Sequence, residues 1–153
     1  SENGHVCAVT TAGDMKCWGY PYSGGVGNGA WNYVNVYSPI TVDPGAQYLL
    51  VKTIGYGSCG ITTSYKLKCW GGELDNGGPD SVPRVPTAYD ASTNYVSIIE
   101  GGISSSNICA ITDTGVTKCM NYAYPNAPYY NYWNNYKSAL GYFYDLPAIV
   151  PGI

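Results

Sequence analysis

Three times along the chain, a short run of apolar and polar residues goes out and turns back on itself. The outward runs are His5-Val6-Cys7-Ala8-Val9-Thr10, Ser58-Cys59-Gly60-Ile61-Thr62 and Ile108-Cys109-Ala110-Ile111-Thr112. After a brief polar turn, each returns through a lysine to a second cysteine: Lys16-Cys17-Trp18-Gly19, Lys68-Cys69-Trp70-Gly71 and Lys118-Cys119-Met120. Two short strands joined by a turn containing Gly or Ser predict a β-hairpin. Gly13 and Gly115 hold the same turn position, and Tyr65 replaces them in the middle copy. The chain therefore reads as all-β.

The cysteines fix the phase of the repeat. Cys7 lies 52 residues before Cys59, and Cys59 lies 50 before Cys109; the second cysteines repeat those steps. A period near 50 marks a propeller or a solenoid. With each turn centred midway, Cys7 faces Cys17, Cys59 faces Cys69 and Cys109 faces Cys119. A directly opposed pair of this kind holds its Cα atoms about 4.5 Å apart, within disulfide range. Zinc competes poorly, because no C-x2-C occurs and His5 is the single histidine. Three intra-hairpin disulfides imply an oxidising compartment, and hence a secreted or cell-surface protein.

The residues around the first pair carry a family pattern: His5-Val6-Cys7-Ala8-Val9, Gly13, Met15, Cys17-Trp18-Gly19, then Gly24-Gly25-Val26-Gly27-Asn28-Gly29. This resembles the repeat of the regulator of chromosome condensation family, in the secreted form with a cysteine pair per blade. The second copy keeps Cys59, Cys69-Trp70-Gly71 and a shortened Leu74-Asp75-Asn76-Gly77. The third keeps Cys109, Gly115 and Cys119, with Met120-Asn121 in place of Trp-Gly and Ser138-Ala139-Leu140-Gly141 as its turn. The resemblance implies two more strands between hairpins. Pro39-Ile40-Thr41-Val42 with Val51-Lys52-Thr53-Ile54-Gly55 fits, as does Val85-Pro86 with Val96-Ser97-Ile98-Ile99-Glu100. It implies β-propeller blades of antiparallel sheet and says little of function, since that fold hosts unrelated activities.

On this reading the chain is a single repeat domain, 1–153, with blades at about 1–45, 46–92 and 93–153. Propellers of this kind close with about seven blades, so three form an incomplete ring. Residues 146–153 are expected to correspond to residues 39–46, leaving the first blade one strand short and the last in phase to need another. Either the sequence is a fragment of a larger propeller, or neighbouring subunits complete its open ends in a ring or filament.

Composition favours close contact with other molecules. Only 11% of residues are charged, against 17 Tyr, 4 Trp and 20 Gly. The aromatics gather in an insert at 121–137 that includes Tyr122, Tyr124, Tyr129, Tyr130, Tyr132, Trp133 and Tyr136, with a smaller relative in Trp31, Tyr33 and Tyr37. Pro125 and Pro128 argue against a long helix there. Tyr and Trp bury large area at low entropy cost and keep a polar tip. Three readings stand: a subunit interface, a sugar- or protein-binding platform, and rings that cover the open end of their own sheet.

Candidate chemistry is sparse. One histidine and six paired cysteines support no Cys–His dyad or Ser–His–Asp triad, and His5 reads as a structural hydrogen-bonding residue. Residues 24–29 lack the Lys-Ser/Thr of a phosphate loop. No calcium loop occurs, the carboxylates are dispersed, and neither a metal nor a cofactor is expected. Seven scattered basic residues within a net charge of −3 argue against nucleic acid, and no apolar run approaches the roughly 20 residues of a membrane span. The expectation is a non-enzymatic extracellular structural subunit that forms a homo-oligomer or filament through open sheet edges and Tyr-rich loops. The alternative is a lectin-like module that binds carbohydrate or protein.

Overall fold

The structure, a computed structural model, describes residues 4–30, 33–71, 84–100, 107–121 and 144–145. Each hairpin forms where the alternation places it. β1 (His5–Val9) pairs antiparallel with β2 (Met15–Gly19), β5 (Gly57–Thr62) with β6 (Leu67–Gly71), and β9 (Asn107–Thr112) with β10 (Thr117–Asn121). The three turns share one construction. The hydroxyls of Thr10, Thr62 and Thr112 accept from the backbone N–H four residues on, at 3.1, 3.1 and 2.9 Å. The residue three along donates its N–H to the same threonine's carbonyl and turns left-handed, with φ of +87° at Gly13, +63° at Tyr65 and +83° at Gly115. This is the three-residue loop with a bulge, whose last position favours glycine.

The remaining strands are β3 (Val36–Thr41), β4 (Tyr48–Ile54), β7 (Thr87–Ala88), β8 (Tyr95–Glu100) and β11 (Tyr144–Asp145). They complete three antiparallel sheets in the orders β1-β2-β3, β4-β5-β6-β7 and β8-β9-β10-β11. Among the described residues the only helical element is a 3-10 turn at Tyr22–Gly24. The first sheet thus has three strands and the others four, as incomplete propeller blades do. One correspondence differs from expectation. Tyr144 and Asp145 pair with Cys119 and Lys118, in the register that Ile40 and Thr41 hold against Cys17 and Lys16. The counterpart of residues 40–41 is therefore 144–145, three residues earlier than the expected alignment. Ladder register against the hairpin sets this position.

The core lies between sheets. Met15, Cys17, Val26, Val42, Tyr48 and Trp70 are buried together between the first and second, with Cys7 and Val9 against them. Cys59, Ile61, Leu67, Cys69, Tyr95, Ile98 and Ala110 form the equivalent layer between the second and third. The Cys7–Cys17 and Cys59–Cys69 bridges lie in these layers, each with Cα atoms 4.1 Å apart. Cys109 is disulfide-bonded too, and Cys119 stands opposite it in the ladder. All six residues of β5 are buried, because a blade covers each of its faces.

Candidate interface: an open edge and a tyrosine cluster

Each blade junction is locked by the same small device. After β3, Asp43 turns left-handed with φ of +55° and accepts from the Tyr48 hydroxyl at 2.5 Å and Lys68 Nζ at 2.6 Å. After β7, Asp90 does so with φ of +46°, accepting from the Tyr95 hydroxyl and Lys118 Nζ, both at 2.9 Å. Burial works against the charge on Asp90, but hydrogen bonds from Thr93, Lys118, Ser92 and Tyr95 outweigh it. They hold its carboxyl well below the usual carboxylate range. Each device joins one blade's exit to the next blade's return strand.

The seam between the first two blades is polar at one point. His5 Nε2 lies 2.6 Å from Ser58 Oγ, which donates to the Gly25 carbonyl at 3.3 Å; Trp70 Nε1 donates to the same carbonyl at 2.9 Å. The glycine-rich segment expected at 24–29 is thus a cover for the next blade's tryptophan. A side chain cannot enter there, since a Cβ at Gly27 would lie 2.6 Å from Trp70 Nε1 and one at Gly25 would lie 2.6 Å from His5 Cε1. Burial lowers the imidazole of His5 to about 4, against a smaller opposing hydrogen bond to the Gly57 backbone. His5 is therefore neutral and structural at neutral pH.

Of the aromatic residues singled out from sequence, Tyr33 and Tyr37 are described and are 71% and 85% exposed. Trp31, Tyr122, Tyr124, Tyr129, Tyr130, Tyr132, Trp133 and Tyr136 lie outside the described residues. Tyr33 joins a cluster that the sequence reading missed. Tyr20 and Tyr22 stack with centroids 5.8 Å apart, Tyr22 stacks on Tyr33 at 5.8 Å, and Tyr56 meets Tyr22 edge-on at 5.2 Å. Tyr37, on β3, joins no ring pair among the described residues. The available signal was Tyr20-Pro21-Tyr22 directly after the Trp-Gly of the return strand, and Tyr56 between two glycines in the β4–β5 turn. Those turns bring tyrosines of two blades to one surface.

The open edge belongs to β1. β5 and β9 are interior strands, flanked by β4 and β8, whereas their counterpart β1 is hydrogen-bonded on the β2 side alone among the described strands. Val6, on this edge strand, is 47% exposed. A strand edge of this kind presents backbone donors and acceptors to any incoming strand. No three His, Cys, Asp or Glu side chains among the described residues group as a metal site requires. No described helix is long and apolar enough to cross a membrane.

No protein-family model and no curated protein matches this sequence. Solved structures do. Prp20p from Saccharomyces cerevisiae, studied for its binding to Gsp1p and histones, superposes with a TM-score of 0.62 at 15% identity over 76% of this chain and 31% of that one. Yeast RCC1 (Prp20) in complex with Kap60 gives 0.61 at 15% identity over 76% and 30%. Human WBSCR16 gives 0.65 at 19% identity over 91% and 35%. The chain spans about a third of the length of each. At these identities the likeness extends to the fold, and the fold is a set of RCC1-like β-propeller blades.

Proposed function

We propose that the chain is a non-enzymatic, extracellular structural subunit that self-assembles, in a ring or a filament, through its open blade edge and tyrosine-rich surface. The observation that carries this is the β1 edge, hydrogen-bonded on the β2 side alone among the described strands, where the corresponding strands of the sister blades are interior. The sparse charge, at 11% of residues, supports it by weakening repulsion between neighbouring surfaces. The disulfides support an oxidising, extracellular setting.

The tyrosine cluster favours a second reading, a module that binds protein or carbohydrate. Prp20p is described with protein partners, and stacked Tyr20, Tyr22 and Tyr33 offer rings and hydroxyls suited to either ligand. Light scattering with negative-stain electron microscopy separates the two. Large regular particles or fibres are the expected result. A stable monomer of 16.4 kDa rejects self-assembly. In that case a glycan array with Tyr33→Ala as the comparison tests the second reading.

A further inference from the structure

The tyrosine cluster is held in place from beneath. Pro21, between Tyr20 and Tyr22, is fully buried, and its carbonyl accepts from the Gly24 N–H at 3.0 Å to start the 3-10 turn. The Tyr20 N–H donates to the Gly4 carbonyl at 3.3 Å, which ties the turn to the approach to β1. With the proline inside, the two flanking rings stay partly exposed, stacked 5.8 Å apart and within 11° of parallel. Tyr33 comes from the loop before β3, with its ring 5.8 Å from Tyr22 and 6.3 Å from Tyr20. It is 71% exposed and belongs to no strand, so its ring is able to turn about its side-chain bonds.

Phenols gathered in this way suit one covalent reaction. A phenol that loses one electron and one proton becomes a phenoxyl radical, with unpaired spin on the ring carbons ortho to oxygen. Two such radicals join at those carbons. Each ortho hydrogen then moves to its own ring's oxygen and restores two phenols. Two tyrosines and one hydrogen peroxide thus give one bityrosine and two waters. Short-lived radicals couple only where they meet, and rings already held 5.8 Å apart begin with that advantage. Tyr56 lies nearer to Tyr22, at 5.2 Å, but at 74° to it and in the tight turn between β4 and β5. Tyr33 is the ring free to swing edge to edge. Competing sinks for the oxidant are shielded: Met15 and Trp70 are fully buried, and no free cysteine stands among the described residues.

We propose that Tyr22 and Tyr33 form an oxidative cross-linking site, joined within one chain as bityrosine by hydrogen peroxide and a haem peroxidase. The bond ties the turn whose Gly25 carbonyl caps Trp70 to the loop entering β3. It gives the first blade a second covalent clasp beside Cys7–Cys17. Being internal to one chain, it stands apart from the edge-assembly reading.

The test treats the intact chain, as an equal mixture of unlabelled and heavy-isotope-labelled protein, with limiting hydrogen peroxide and a haem peroxidase. The product is reduced and digested with elastase, which cuts after small residues; Gly24, Gly25, Gly27, Gly29 and Ala30 lie between the two tyrosines. Mass spectrometry is expected to find the Tyr22 and Tyr33 peptides joined, two hydrogens lighter than their sum, with both halves of one isotope. Tyr22→Phe and Tyr33→Phe keep the ring and lose the phenol, and each should abolish this species. Tyr37→Phe should leave it unchanged. Tyr37 is 85% exposed but joins no ring pair among the described residues, so it separates proximity from exposure. The peptide map of the unsubstituted chain decides the assignment even where a variant folds poorly. Absence of the joined peptides, mixed-isotope pairs alone, or coupling of Tyr37 as frequent as that of Tyr33 overturns the inference.

Discussion

Tyr65 holds a backbone conformation that its two sister positions fill with glycine. A side chain in the left-handed region costs about 1 kcal/mol. Tyr65 is half-exposed, and its contribution to the junction comes through its carbonyl, which accepts from Tyr95. Tyr65→Gly is therefore expected to stabilise the fold by up to about 1 kcal/mol, read as a rise of a few degrees in thermal unfolding. His5 makes a prediction of opposite sign. Its folded value, about 4, lies below the unfolded value near 6.5, so the unfolded chain takes up the proton first as the solution is acidified. Stability is full above pH 6.5 and falls by about 3 kcal/mol as the pH drops to 4. Denaturant titrations at several pH values check this, and His5→Gln should flatten that window. A loss that persists in His5→Gln would assign it to other groups.

The hairpin is the unit of this fold, and its cross-strand disulfide is its staple. The Cys59–Cys69 bridge closes a short loop inside the core between blades two and three. Replacing both cysteines with alanine is expected to cost about 3 kcal/mol, through freedom returned to the unfolded chain and lost sulfur packing. A change below 1 kcal/mol in chemical denaturation would mean the ladder alone holds the hairpin. The hairpins and their turns were readable because local rules govern them: period-two alternation, a turn glycine and opposed cysteines. The Asp-x4-Tyr device was not singled out, since Asp43 and Lys68 lie 25 residues apart and belong to different blades. Two copies in phase were the signal present in the sequence.

Across the whole molecule, the middle blade is enclosed and the first blade is open on one side. β5 is buried along its length, while in β1 only His5 is buried, Cys7 and Val9 are partly buried, and Val6 and Ala8 are exposed. In the unassembled chain, amide exchange should be slowest in β5 and faster in β1, because opening an edge strand disrupts fewer packed contacts. Equal protection in β1 and β5 would show the β1 edge to be already paired in solution. The same asymmetry makes β1 the place where assembly has most to gain.

The sequence alone determined the repeat, its phase, the hairpins and the facing cysteines, because all of these follow from local periodicity and from spacings within about ten residues. It also marked the chain as rich in tyrosine and poor in charge. Tertiary structure decided which surfaces those residues form. The gathering of Tyr20, Tyr22, Tyr33 and Tyr56, the full burial of Trp70 where its counterpart Trp18 is only partly buried, and the register of Tyr144–Asp145 all depend on how one blade or strand lies against another. Contacts between blades join residues tens of positions apart, and alternation along a single strand carries no record of them.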